Sequence, residues 1–321
     1  MKILVIQNRM GIGDMVIFLP FIEAISNKFN VPVNILVKEN SKAIQFLKDN
    51  TNIGEIIILD RDNKINNGRH NGIIGSYNLA KDLKKLNIDK IFIFNSSLRF
   101  NLIAKIAGIK EIYQYPLFKK KNQHIINTAK KFIKKELGLE IKSDPKILVN
   151  DQLIKNSKSK YEINNEEVNI LLGIGGSGPT KRVPAKIFID FMNLITQKYK
   201  CKFFLATGKN IEEQKILYEI LDTKFKNKCY ALDDLSLTEI LPIIKNCNIS
   251  ICNDSSFSHL SSSVGVETIV LMSDTPLLYG NYSPRMHPII PDGENTVTHD
   301  TLGKDRINPN KIFEQFNKIL A

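Results

Sequence analysis

No run in this chain is long and apolar enough to cross a bilayer. The longest, such as residues 56–59 and 269–272, are strand-sized, far short of the ~20 residues a span requires. A signal peptide is equally missing, because apolar residues 3–6 lead straight into a polar glycine loop. Both absences set the expectation of a cytoplasmic protein, with peripheral contact at the inner membrane face as the variant left open. The four cysteines, Cys201, Cys229, Cys247 and Cys252, make no CxxC pair and have no zinc-site spacing, and the five histidines are scattered. A metal centre is therefore not expected. Cys252, inside an apolar strand pattern, reads as a small buried hydrophobe. Zinc-finger, aromatic RNA-binding and recognition-helix signatures are all wanting, so nucleic acid is not an expected partner.

What is there suits a globular enzyme-sized chain. Its 321 residues fit two domains better than one, and 43% hydrophobic with 24% charged residues argues against long disorder. The net charge of +12 favours anionic partners, whether nucleic acid, a membrane surface or a phosphorylated saccharide. Lys, Ile and Asn abound throughout, however, so a compositional bias accounts for the charge equally well. One local cluster stands out: Lys119, Lys120 and Lys121, then Lys130, Lys131, Lys134 and Lys135. It is a candidate for touching an anionic acceptor or lipid surface, against the alternative of a solvated face.

Strand-like and helix-like patterns alternate. Residues 2–7, 33–37, 55–59, 90–94 and 111–115 read as strands, with helices over 15–29 and 73–86. Such alternation implies βαβ units around a parallel sheet, and the apolar run 56–59 implies a strand buried on both sides. Over 141–167 the apolar rhythm fades into Ser, Asn, Lys and Asp, which reads as a linker. It then restarts, with strands over 169–174, 202–206, 249–252 and 268–272 and helices over 185–199, 211–221, 237–247 and 257–264. An amphipathic helix over 310–320 ends the chain. The expected fold class is α/β with two Rossmann-like, doubly wound domains, over 1–155 and 156–305, and a closing helix over 306–321. Ligands of such sheets bind outside the carboxyl ends of the strands.

Three strand ends carry chemistry. The first is Gln7-Asn8-Arg9-Met10-Gly11-Ile12-Gly13-Asp14, whose glycines permit a sharp turn and close approach of a ligand to a helix start. It lacks the third glycine of a dinucleotide fingerprint. Asp14 fits either a helix cap or a catalytic carboxylate, and Pro20 predicts a bend in the helix that follows. The second loop, from Gly175 through Gly176, Ser177, Gly178, Pro179, Thr180, Lys181 and Arg182 to Pro184, combines glycines, hydroxyls and cations. That is a recipe for a phosphate cradle, although no GxxxxGK[ST] string is present. The third is Asn253-Asp254-Ser255-Ser256-Phe257-Ser258-His259-Leu260, where an Asp, hydroxyls and a helix start coincide. Taken alone, Asp254 or Ser255 could simply cap and His259 could simply be buried.

Taken together, the three strings resemble glycosyltransferase family 9, the heptosyltransferase-like enzymes of lipopolysaccharide core assembly. The resemblance rests on Met1 to Ile6 with Gly11-Ile12-Gly13-Asp14 and Pro20, on Gly176 to Pro184, and on Asn253 to Leu260, and it covers nearly the whole chain. It implies a GT-B fold with two Rossmann-like domains about a central cleft, nucleotide-sugar held mainly by the second and acceptor by the first. It further implies inversion at the anomeric carbon without an essential metal and with no cofactor. Asp14 then becomes the general base and Lys181 the cation on the donor phosphates. Gly176, Ser177, Gly178, Thr180, Lys181, Asp254, Ser255, Ser256 and His259 fall on donor binding, and Gly11 and Gly13 are assigned with them. The implied partners are a nucleotide-sugar, with ADP-heptose as one option, and a saccharide or lipid-linked saccharide acceptor. The closing helix has room to pack back on the first domain, as in similar enzymes. His70, Arg99 and Lys120 are further acceptor-side candidates.

Departures from the family pattern are visible. Val183 stands where Trp is frequent, Ile174-Gly175-Gly176 where His-Pro-Gly is frequent, and Ser255-Ser256 in place of Thr-Gly. They bear on the identity of the sugar and base more than on the fold. Two other classes of function stay open on the residues alone: a nucleotide-sugar epimerase of the same fold, and a non-catalytic binder of nucleotide-sugar or anionic polymer.

Overall fold

The computed structural model describes residues 1–9, 11–61, 68–117 and 125–320, so Met10 and Lys119 to Lys121 lie outside the described residues. The chain divides into two compact units, Met1–Pro145 and Lys146–Ala321. In the first, the order is β1 (Ile3–Ile6), α1 (Ile12–Phe29), β2 (Val33–Val37), α2 (Ala43–Leu47), β3 (Ile53–Ile58), α3 (Gly72–Lys85), β4 (Lys90–Ile93), α4 (Leu98–Ile106), β5 (Glu111–Gln114) and α5 (Ile125–Leu137). The five strands form one parallel sheet ordered β3-β2-β1-β4-β5.

Alternate residues of each strand serve opposite faces. Leu4, Ile6, Leu36, Ile91 and Ile93 meet Leu79, Ala80 and Leu83 of α3 and Phe100, Ile103 and Ala104 of α4. On the other face, Phe92 and Phe94 pack edge-on to Phe132 of α5, and Phe94 also meets Phe18 of α1. Helix α1 runs unbroken through Pro20, whose ring is buried. The apolar run 56–59 is not buried on both sides as expected. It belongs to β3, an edge strand, and Ile56, Ile57 and Ile58 are only half-buried.

The second unit contains α6 (Asp151–Lys160), β6 (Val168–Gly173), α7 (Ala185–Thr196), β7 (Cys201–Ala206), α8 (Ile211–Leu221), β8 (Cys229–Ala231), α9 (Leu237–Lys245), β9 (Ile249–Asn253), α10 (Ser256–Ser263), β10 (Thr268–Leu271), β11 (Met286–Ile289) and α11 (Pro309–Leu320). Its parallel sheet is ordered β11-β10-β9-β6-β7-β8. Ile170, Leu172, Phe203, Leu205, Ile249 and Ile251 form the core with Phe188, Phe191 and Met192 of α7 and Ile312 and Phe316 of α11.

One expectation is corrected here. Part of the supposed linker is the helix α6, which Asn150 caps through the Gln152 and Leu153 N–H groups. Its Lys- and Ser-rich sequence conceals one buried position, Ser157, which pairs with Asn246 at the end of α9. The closing helix packs on α7 of its own unit, burying Phe316 against Phe191 and Tyr199. Its buried face is therefore used within the second unit.

Candidate active site

Each sheet changes direction of winding once, and the strand ends at that point are where ligands of open α/β sheets bind. In the second unit the switch lies between β6 and β9, and it joins the second and third loops of the sequence reading. Asn253, fully buried at the end of β9, donates through Nδ2 to the carbonyls of Ile174 (2.8 Å) and Gly175 (3.2 Å). Its Oδ1 accepts the Val183 N–H at 3.4 Å, so one amide grips both ends of the glycine loop. Close packing explains the glycines. A Cβ on Gly173 would lie 2.6 Å from Cys252 Sγ, and one on Gly175 would lie 2.5 Å from Glu213 Oε1.

Across this gap Lys181 Nζ donates to Asp254 Oδ2 at 2.9 Å, and His259 Nε2 lies 3.9 Å from Asp254 Oδ1. The Asp254 side chain is only 4% exposed, while Lys181 keeps 26%. Burial pushes the Asp254 carboxyl up, but the Lys181 and His259 charges outweigh it and hold the group below the usual carboxylate range. An ammonium has three N–H donors, so Lys181, oriented by Asp254, keeps others for an anion. The His259 ring stacks on Tyr282 with centroids 5.6 Å apart, and Nδ1 lies 2.8 Å from the Tyr282 hydroxyl. Ser255 is the N-cap of α10 yet makes no side-chain cap bond, and its buried Oγ has no hydrogen-bond partner among the described residues. Ser256 opens the helix. Ser177 is exposed, Gly178 and Thr180 are half-exposed and Gly176 is buried, with the Thr180 carbonyl held by Ser273 Oγ at 3.1 Å.

Sequence reasoning passed over Glu213. This buried carboxylate, at the third position of α8, accepts the Gly176 N–H at 2.6 Å and is gripped by its cap, Asn210. The Asn210-x-x-Glu213 spacing is a capping-box signal that could have singled it out. Tyr282 was also missed, and its place after β10 has no marker in the sequence.

In the first unit the switch lies between β1 and β4. Asn95, just beyond β4, donates to Asn8 Oδ1 at 3.2 Å, and Gly11 is the N-cap of α1 with Gly13 one residue inside the helix. Asp14 is not the N-cap. It sits at the third helical position, where Oδ2 reaches back to the Gly11 N–H (3.3 Å) and Oδ1 accepts Arg9 Nε (2.8 Å). A carboxylate offers about four lone-pair sites, so Asp14, a quarter exposed, retains acceptor capacity. His70 is buried with both ring nitrogens engaged. Its Nδ1 accepts the Asp60 N–H (3.1 Å), which leaves Nε2–H to donate to Asp82 (3.2 Å), itself forked by Arg69. Arg99 donates to the His70 carbonyl.

Two parallel, doubly wound α/β units, each with one winding switch at its strand ends, are the architecture of the GT-B class. The family model for glycosyltransferase family 9 (heptosyltransferase) matches residues 103–300, a span that includes Lys181, Asp254 and His259, and the chain belongs to that family. It is a glycosyltransferase. Lipooligosaccharide heptosyltransferase 2 of Campylobacter jejuni is 24% identical over 310 residues, covering 90% of this chain and 93% of the relative. A family 9 glycosyltransferase structure from Veillonella parvula matches with a TM-score of 0.80 at 19% identity, covering 99% and 97% of the two chains. The ADP-heptose LPS heptosyltransferase II of E. coli follows at a TM-score of 0.73 and 18% identity, covering 100% and 98%. At these identities the two solved structures speak for the fold.

Proposed function

We propose that this enzyme transfers a sugar from a nucleotide-diphosphate sugar to a saccharide or lipid-linked saccharide acceptor, with inversion and without an essential metal. ADP-heptose is the first donor to test, since the E. coli neighbour is an ADP-heptose LPS heptosyltransferase and the Campylobacter relative is a lipooligosaccharide heptosyltransferase. The observation that carries the reading is the Lys181–Asp254–His259 cluster at the β6/β9 switch point, where a cation and a helix start converge. Lys181, the N–H groups of Ser177, Gly178 and Thr180, and the start of α10 then hold the diphosphate.

The chemistry is a single displacement. The acceptor oxygen bonds to the anomeric carbon as the bond from that carbon to the phosphate oxygen breaks, and the nucleoside diphosphate leaves with the electron pair. Asp14 takes the proton from the acceptor hydroxyl. General-base assistance contributes typically ~10²–10⁴-fold, and stabilising the leaving charge contributes on a similar scale. The test is release of nucleoside diphosphate from candidate nucleotide-sugars with and without a saccharide acceptor. Acceptor-dependent release with an inverted product supports the transfer. Turnover of the nucleotide-sugar alone to an epimer would replace it.

A further inference from the structure

The helices α3 and α4 pack side by side and carry apolar side chains that no described residue covers. On α3, Ile73, Ile74 and Tyr77 are 91%, 78% and 53% exposed. On α4, Leu98, Leu102 and Ile106 are 41%, 48% and 56% exposed, and their four-residue spacing makes one stripe facing away from the core residues Phe100, Ile103 and Ala104. Because Arg99 bonds the His70 carbonyl just ahead of α3, the beginnings of the two helices adjoin. Single exposed apolar residues are ordinary, whereas six on one two-helix layer are a patch that calls for a partner.

Charge around the patch has one sign. The two helices carry Lys81, Lys84, Lys85, Arg99 and Lys105, and their sole acid, Asp82, is shared by Arg69, His70 and, at 3.9 Å, Lys85. Lys81 Nζ sits 4.7 Å above the Tyr77 ring, so charge and apolar surface are adjacent. A second copy of this chain would set cations against cations. An anionic lipid surface accepts both features at once, since aliphatic side chains enter the acyl boundary while lysines meet head groups. We propose that the α3/α4 face docks the enzyme on anionic lipid bilayers. This face is separate from the lysines of α5, which pack with α1 on the opposite side of the sheet.

The test is flotation of the full-length protein with vesicles of equimolar phosphatidylglycerol and phosphatidylcholine, against phosphatidylcholine alone. No sugar substrate is present, so the result is independent of the transferase reading. Binding is expected only to the anionic vesicles. Ile73→Ser with Ile74→Ser should weaken it about 10- to 100-fold. Lys84→Gln with Lys105→Gln should weaken it about 30-fold. Lys131→Gln with Lys135→Gln on α5 should leave it unchanged, and circular dichroism checks that every variant folds. The proposal is overturned by absent or charge-independent vesicle binding, or by loss in the α5 variant instead. Sedimentation velocity supplies a fourth contrary outcome, a dimer of the wild type abolished by Ile73→Ser with Ile74→Ser.

Discussion

Lys181 Nζ and Asp254 Oδ2 lie 2.9 Å apart, joining the glycine loop after β6 to the end of β9 although 73 positions separate them in sequence. The pair makes the second unit's switch point a charged site, and it couples stability to function. Lys181→Ala leaves a buried carboxylate without its closest cation. Allowing for the partial exposure of Lys181, the expected cost is about 1–3 kcal/mol. Adding Asp254→Asn should restore most of that loss in denaturant unfolding, because no unpaired charge then stays buried. The pH sense also follows. The folded Asp254 carboxyl is held below its unfolded value, so its contribution is present above about pH 4 and is lost as pH falls through the folded value. The stability gap between wild type and Asp254→Asn should close on acidification; a gap that widened would reverse the sign.

Asp14 serves a helix and, on this account, a reaction. Asn keeps an oxygen for the Gly11 N–H but loses the charge facing Arg9 and the ability to take a proton. Asp14→Asn should therefore cost only about 0.3–1 kcal/mol of stability, yet lower turnover by ~10²–10⁴-fold. Steady-state kinetics beside thermal unfolding separate the two. Near wild-type turnover would leave Asp14 as a helix residue alone.

The glycine loop depends on a carboxylate beneath it. A Cβ on Gly175 would approach Glu213 Oε1 to 2.5 Å and Thr207 Cα to 3.1 Å. Gly175→Ala should destabilise by about 1–3 kcal/mol through overpacking. Glu213→Ala should cost a comparable amount by leaving the Gly176 N–H unpartnered. Urea titration of both variants checks this, and unchanged midpoints would contradict it.

Much of this was legible because the signals are local. Glycines at strand ends, the alternation of periods and the hydroxyl-rich third loop all act within a few residues, and they marked both switch-point loops of the second unit. What was not legible depends on partners far along the chain. Tyr282 matters through His259 and Asn95 through Asn8, and neither leaves a pattern in one stretch, while Glu213 shows locally only its capping spacing with Asn210 and not its bond to Gly176. The helix α6 was hidden by its polar composition, and the edge position of β3 cannot be read from an apolar run. The closing helix showed its apolar stripe but not which unit would cover it.

Burial pushes the Cys201, Cys229 and Cys252 thiols up to about 12, and Cys247 rises for the same reason. Thiolate is then scarce at neutral pH, and Cys201, Cys247 and Cys252 are shielded as well. Iodoacetamide should modify the native protein slowly, at Cys229 first, and all four cysteines only after unfolding, as read by intact mass. Rapid native labelling of Cys252 would contradict the packing against Gly173.

Calorimetric titration of the wild type and Lys181→Ala with ADP, other nucleoside diphosphates and ADP-heptose tests the central claim most directly. The account predicts that the wild type binds a nucleoside diphosphate and that Lys181→Ala loses about 10- to 100-fold of that affinity, the scale of one charge-assisted hydrogen bond. The double variant Lys181→Ala with Asp254→Asn, its stability restored, should remain just as weak. Equal affinity in wild type and Lys181→Ala, or no binding to any of these ligands, would contradict the assignment of this switch point to the sugar nucleotide.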